Sequence, residues 1–158
     1  MNINIISVGK IKESYYREAL AEFEKRLSRF CTFGSVILPD KSIPDNPTAG
    51  ECEDILRREG EQILNKTGKS DFVVAMCIEG KQLASEDFAQ KMQDIMMQHS
   101  TVDFVIGGSL GLSDAVKERA DFKFSLSKMT FPHRIARLVL TEQVYRAFKI
   151  MANETYHK

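Results

Sequence analysis

Five short runs rich in Val, Ile and Phe punctuate the chain, and a longer stretch with helical spacing follows each of them. The runs are Ile3 to Val8, Ser35 to Leu38, Phe72 to Ile78, Phe104 to Gly107 and Phe122 to Ser127. Several are almost continuously apolar, the pattern of strands covered on both faces rather than one. The intervening stretches, Ser14 to Phe30, Ala49 to Lys66, Ser85 to His99, Ser113 to Arg119 and a last one after Pro132, read as helices. Ser85 with Asp87, and Ser113 with Asp114, resemble N-cap openings, and Pro132 is pre-shaped for a first helical turn. Alternation of this kind joins parallel strands through crossover helices. The expected fold class is therefore α/β, a parallel sheet with helices on both faces. Only Pro39 to Gly50, with three prolines among turn formers, is a long loop. No repeat or low-complexity tract divides the chain, and residues 1–158 are expected to form a single domain.

Composition excludes several classes. At 43% hydrophobic and 28% charged residues, the chain can build a core and is neither disordered nor fibrous. Cys31, Cys52 and Cys77 are odd in number and widely spaced, which fits reduced thiols rather than a disulfide framework or a zinc site. No metal is expected. The opening MNINIISVGK lacks a basic-then-apolar leader pattern, and no apolar run approaches the roughly 20 residues of a membrane span. A cytoplasmic location without a membrane partner is the expectation. The net charge of zero hides an uneven distribution. From Lys123 onward seven Lys and Arg face two acids, a net of +5, so the remainder carries −5. A positive face able to meet phosphates is implied, with an ordinary solvated basic helix as the plainer reading.

Ligands of open α/β sheets bind beyond the carboxyl ends of the strands, so the segments after the runs hold the candidate chemistry. Three stand out: Met76 to Lys81, Gly107 to Gly111, and Ser127 to His133. The glycine segment IGGSLGLS lets a ligand approach backbone N–H groups. It fits neither GxGxxG nor a phosphate-binding loop ending in Gly-Lys-Ser/Thr, which argues against dinucleotides and nucleoside triphosphates. The segment SKMTFPH sets Ser127 and Thr130 beside Met129 and Phe131, a mixture suited to holding an adenine between apolar side chains and backbone groups. On a helical wheel the last helix gathers Ala136, Val139, Leu140, Val144, Ala147, Phe148 and Met151 on one arc, expected to face the core or a dimer partner. Arg134, Arg137, Thr141, Glu142, Tyr145, Arg146 and Lys149 fall on the opposite arc. The chain ends on Tyr156-His157-Lys158.

Together FVIGGSLGL, FKFSLSKMTFPHRIARLVLTEQVYRAFKI and the terminal YHK resemble the RlmH family, pseudouridine methyltransferases of the SPOUT class that act on large-subunit ribosomal RNA. The SVGK start and CIEGKQLASEDFA fit as well, so the resemblance spans essentially the whole chain. It implies a homodimer of α/β knot protomers, each with a C-terminal trefoil knot holding S-adenosyl-L-methionine (SAM) in a bent shape. Periodicity alone points away from a knot, since chains generally avoid threading. By position, the cofactor contacts implied are Met76, Gly108, Ser127, Lys128, Met129, Thr130, Phe131 and Pro132. Met76 stands where relatives often carry leucine, a volume-conserving exchange.

The chemistry implied is transfer of the SAM methyl group to N(3) of a pseudouridine in 23S ribosomal RNA. Such a site must align the reactants and assist loss of the N(3) proton. His157 and Glu142 are the candidate proton acceptors, with Arg146 available to stabilise negative charge on the base. Arg134, Arg137, Lys149, Tyr156 and Lys158 are the candidate RNA contacts, and the terminal tripeptide is expected to close over the target base, reaching the active site of the dimer partner. A ribosome-binding module that does not use SAM is the alternative; a flavodoxin-like nucleotide-binding domain is a weaker one.

Overall fold

The computed structural model describes residues 1–156. Strands and helices alternate as β1 (Asn2–Val8), α1 (Ser14–Leu27), β2 (Thr32–Leu38), α2 (Ala49–Leu64), β3 (Phe72–Lys81), α3 (Ser85–Gln98), β4 (Thr101–Ile106), α4 (Asp114–Arg119), β5 (Phe122–Phe124) and α5 (His133–Met151). The five strands form one sheet in the order β2-β1-β4-β3-β5, and every pairing is parallel.

Strand alternation sorts the apolar residues onto two faces. On one face Ile3, Ile5, Val74, Val102, Phe104 and Ile106 pack against α1, α3 and α5. On the other, Ile6, Val8, Val73, Ala75 and Val105 meet Ile63 of α2 and Val116 of α4. The sheet is thus covered on both sides, which is why its central strands carry so few polar residues.

Local chemistry sets the helix starts. Thr48 caps α2 in a reciprocal capping box with Glu51, and the Ser113 side chain accepts the Val116 N–H at the start of α4. Ser85 is not a cap: Ala84 holds that position, and the Ser85 hydroxyl instead donates to Gln143 Oε1 at 2.9 Å, joining α3 to α5. Pro132 stands at the N-cap of α5, one residue before the first turn.

The end of β5 is held unusually tightly. Phe124 pairs with both Met76 and Lys81 of β3, across an irregularity in that strand, and the Ser125 N–H donates to the Lys81 carbonyl at 3.0 Å. Gly80 makes this possible, because a Cβ there would stand 2.6 Å from the backbone N and C of Phe124. The strand that leads into the SKMTFPH segment is therefore fixed at its far end by backbone pairing as well as by the buried Phe124 ring stacked on Phe88.

The inward face of α5 is rotated from the wheel expectation. Arg137, Thr141 and Tyr145 are buried alongside Leu140, Val144, Ala147 and Phe148, whereas Ala136, Val139 and Met151 are only half-buried. The reason lies in the neighbours: Arg137 donates to Ser35 Oγ and Ser7 Oγ of the sheet and lies 3.9 Å from Glu24 of α1, while Tyr145 packs on Phe23 and Phe30. Polar partners on the sheet allow polar residues to face it.

Candidate active site

The distal half of β3 and the turns after β4 and β5 meet at the carboxyl end of the sheet around a cleft of about 690 Å³. Small-molecule sites commonly enclose about 300–1,000 Å³. Met76 to Glu79 form one wall, Gly107 to Leu112 a second, and the segment from Ser125 to Arg134, apart from Lys128, a third, with Ala136 of α5 behind it.

Each wall has a local cause. Gly111 adopts φ +84° and its N–H donates to the Gly108 carbonyl at 3.0 Å, closing a tight turn directly after β4. Behind that turn Gly108 is pressed against α2 and β1: a Cβ would lie 2.9 Å from Glu59 Oε2 and 3.2 Å from Val8 Cγ1. In the third wall the Ser127 hydroxyl accepts the Met129 N–H at 3.1 Å, and Ser125 Oγ donates to the Ser127 carbonyl at 2.9 Å. These local bonds hold the chain folded back after β5.

The charges of the cleft wall are largely matched. Lys117 pairs with Glu79 at 2.5 Å and, by that hydrogen bond, holds the Glu79 carboxyl below its usual range. Arg134 pairs with Glu13 at 3.0 Å. His133 lines the cleft with its Nε2 buried and lacking a hydrogen-bond partner among the described residues. Burial pushes the Cys77 thiol up, and Cys31, Cys52 and Cys77 are all free.

Of the residues implied as cofactor contacts, Met76, Gly108, Ser127, Met129, Thr130, Phe131 and Pro132 line this cleft. Lys128 does not; it is exposed, because the tight Ser127–Met129 turn sends its middle side chain to solvent. A thioether, an aromatic ring and serine and threonine hydroxyls suit an adenosyl group. The donor set therefore fits SAM.

Glu142, Arg146 and Tyr156 form a second cluster. Arg146 Nη2 donates to Glu142 Oε1 at 2.5 Å, the Tyr156 hydroxyl donates to the same oxygen at 3.2 Å, and the Arg146 guanidinium stands 4.8 Å over the Tyr156 ring. The Tyr156 ring also meets Tyr145 edge-on at 5.0 Å. Burial and the Glu142 carboxylate push the Tyr156 phenol up. None of the three lines the cleft of its own chain. At 1.5 Å per residue, Glu142 lies about 9 Å and Arg146 about 15 Å along α5 from Ala136.

The expected basic face is only partly present. Arg134 stands at the cleft, 41% exposed. Arg137 is 4% exposed and held inside by Ser7 and Ser35, so it is a structural cation and not a surface contact in the protomer. Lys149 is also mostly covered, its side chain 12% exposed and paired with Glu154. His157 and Lys158 lie outside the described residues. Sequence reasoning named the segments that hold Glu79 and His133 without singling out either side chain, and missed Lys117 and Glu59 behind the glycine turn. For Glu59 a sign was present: an acid midway between Ile55 and Ile63, on the buried stripe of α2. Among the described residues no group of His, Cys, Asp and Glu could hold a metal ion, and no helix is long and apolar enough to cross a membrane.

Comparison with known proteins bears on this geometry. A family model described as "Predicted SPOUT methyltransferase" matches residues 1–157. Proteins named ribosomal RNA large subunit methyltransferase H from Leuconostoc mesenteroides and Clostridium perfringens are each 50% identical over 159 residues, covering 100% of this chain and of the relative. The protein of that name from Streptococcus suis is 46% identical over the same span. A solved structure of a probable methylase family protein from Haemophilus influenzae superimposes with a TM-score of 0.57 at 14% identity, covering 99% of this chain and 70% of that one, a likeness of fold alone. The full-length matches and the strand-end cleft agree: the chain belongs to the SPOUT methyltransferases, and within them to the ribosomal RNA large subunit methyltransferase H family.

Proposed function

We propose that the protein transfers the methyl group of SAM to N(3) of a pseudouridine in 23S ribosomal RNA. The observation that carries this reading is the convergence of the end of β3 and the turns after β4 and β5 on one cleft whose lining suits an adenosyl group. Bound SAM supplies an electrophilic methyl carbon on a positively charged sulfur. Methyl transfer to N(3) would require its proton to pass to a base of the protein.

The chain's own groups have two tasks. The walls at Met76, Gly108 and Phe131 would hold the cofactor and orient it towards the target base, a positioning effect that contributes about 7–11 kcal/mol in well-organised sites. Proton removal falls to Glu142 or His157, with Arg146 stabilising negative charge that builds on the base carbonyls. Arg134, Tyr156 and Lys158 are the RNA-facing groups in this reading, since loop bases are held by stacking and their phosphates by cations.

The distance between the cleft and the Glu142 cluster supports a homodimer, in which the α5 cluster and tail of one protomer complete the cleft of the other. The exposed Ile78 and Met129 at the cleft support it too, since both leave apolar surface to be covered. Both cores share one sheet, which supports a single domain over residues 1–158; a cytoplasmic location belongs to the proposal through its ribosomal RNA substrate. The C-terminal trefoil knot belongs to the same proposal, supported by membership in the SPOUT methyltransferases.

The test is mass spectrometry of ribosomal RNA from cells lacking the protein, with the loss of one methyl on a pseudouridine as the expected result and unchanged RNA as the refuting one. Calorimetry separates the alternative of a binding module: silence with SAM favours it.

A further inference from the structure

Glu59 is an acid in an apolar setting. It sits one helical turn from both Ile55 and Ile63 and is only 4% exposed. Such a group is costly to bury, and burial, with Asp40 nearby, pushes its carboxyl up while the backbone N–H and the charge of Lys41 favour the ionised form. Its Oε1 accepts the Lys41 N–H at 3.1 Å, whereas Oε2 has no hydrogen-bond partner among the described residues. Both oxygens face the back of the glycine turn, since a Cβ on Gly108 would stand 2.9 Å from Oε2 and 3.3 Å from Oε1. The opposite side of Gly108 lines the cleft. One residue without a side chain therefore separates this carboxylate from the ligand space. The other acids near that space already face cations, Glu79 with Lys117 and Glu13 with Arg134.

We infer that Glu59 is a specificity-determining residue that acts through the glycine turn: its negative charge favours the cationic sulfonium cofactor over the neutral thioether product. The inference rests on the proposed use of SAM. Methyl transfer removes one positive charge from the cofactor, because the C–S electron pair remains on sulfur. A carboxylate held behind a thin, poorly solvated wall distinguishes those two charge states without touching either ligand. It thereby promotes replacement of spent cofactor by fresh.

Calorimetric titration of the full chain with SAM, S-adenosylhomocysteine and sinefungin tests this, because sinefungin keeps a cationic amine where SAM has its sulfonium. In Glu59→Gln and Glu59→Met the affinity for SAM and sinefungin should fall about tenfold relative to S-adenosylhomocysteine, the scale expected of one charge acting through several ångströms of protein. Glu59→Asp should restore most of the difference. Thermal melts identify folded variants, and Glu59→Met replaces the buried charge with an apolar side chain should the amide variant fold poorly. Equal weakening of all three ligands marks a purely structural role and overturns the inference, as does an unchanged ratio. Wild-type protein silent towards all three overturns the SAM reading itself, and this inference with it.

Discussion

Replacing Gly80 by alanine tests whether the backbone clasp on β5 positions the cleft. The added Cβ would lie 2.6 Å from the N and C of Phe124 and 2.7 Å from the Lys123 carbonyl carbon. Non-bonded carbons rest about 3.5–4.0 Å apart, so β5 must retreat by about 1 Å. The obstructing atoms are backbone, paired with β3 at Met76 and Lys81, and no side-chain rotation relieves them. Overpacking of this kind costs about 1–3 kcal/mol. For a chain of this size, each kcal/mol lowers Tm by about 2–4 °C. Function should suffer more than stability, because β5 leads straight into the Ser125-to-Arg134 wall, and a 1 Å misplacement at a reacting centre costs about 100-fold in rate. Urea unfolding, SAM calorimetry and a methyl-transfer assay on the same preparation read these effects. Unchanged stability together with unchanged SAM affinity refutes the reasoning.

Three other outcomes are expected. Burial, and secondarily Asp71, pushes the Asp103 carboxyl up to about 6, so the folded chain holds a proton that the unfolded chain has released. The stabilising contribution of this group is then greatest below about pH 4 and is lost as pH rises through about 6. Asp103→Asn should raise stability by about 1–3 kcal/mol at pH 8 and flatten the profile between those values; urea unfolding across pH that leaves the slope in place refutes it. Arg137→Ala should cost about 2 kcal/mol of stability without altering the salt dependence of RNA binding, whereas Arg134→Glu should reduce that dependence; a reduced salt slope in the Arg137 variant returns it to the RNA surface. Deleting Tyr156, His157 and Lys158 should abolish methyl transfer while SAM affinity stays within about twofold, since in the proposed dimer the tail closes over the target base and not over the cofactor; full activity after deletion refutes a role in catalysis.

The strands and most helix limits were legible because their cause is local. A run such as Phe72 to Ile78 has too few polar groups to face water, whatever surrounds it. The limits that moved did so for tertiary reasons. β3 continues to Lys81 because β5 pairs there, and the helix after residue 84 begins without a serine cap because the Ser85 hydroxyl is drawn to Gln143. The segments that line the cleft were legible because ligands gather beyond the carboxyl ends of parallel strands, a rule that needs only the topology. Lys128 failed that rule because position in a segment does not fix the direction of a side chain in a tight turn.

Linear order by itself determined the alternating architecture, the three strand-end segments and the family resemblance carried by the last fifty residues or so. Only the packed structure decided that Arg137 serves the interior, that Glu59 stands behind Gly108, and that Glu142 and Arg146 lie off the cleft of their own chain. Apolar periodicity is written into neighbouring residues. The environment of a charge depends instead on partners distant in the chain, as Ser7 and Ser35 are from Arg137, and those meet only when the sheet closes.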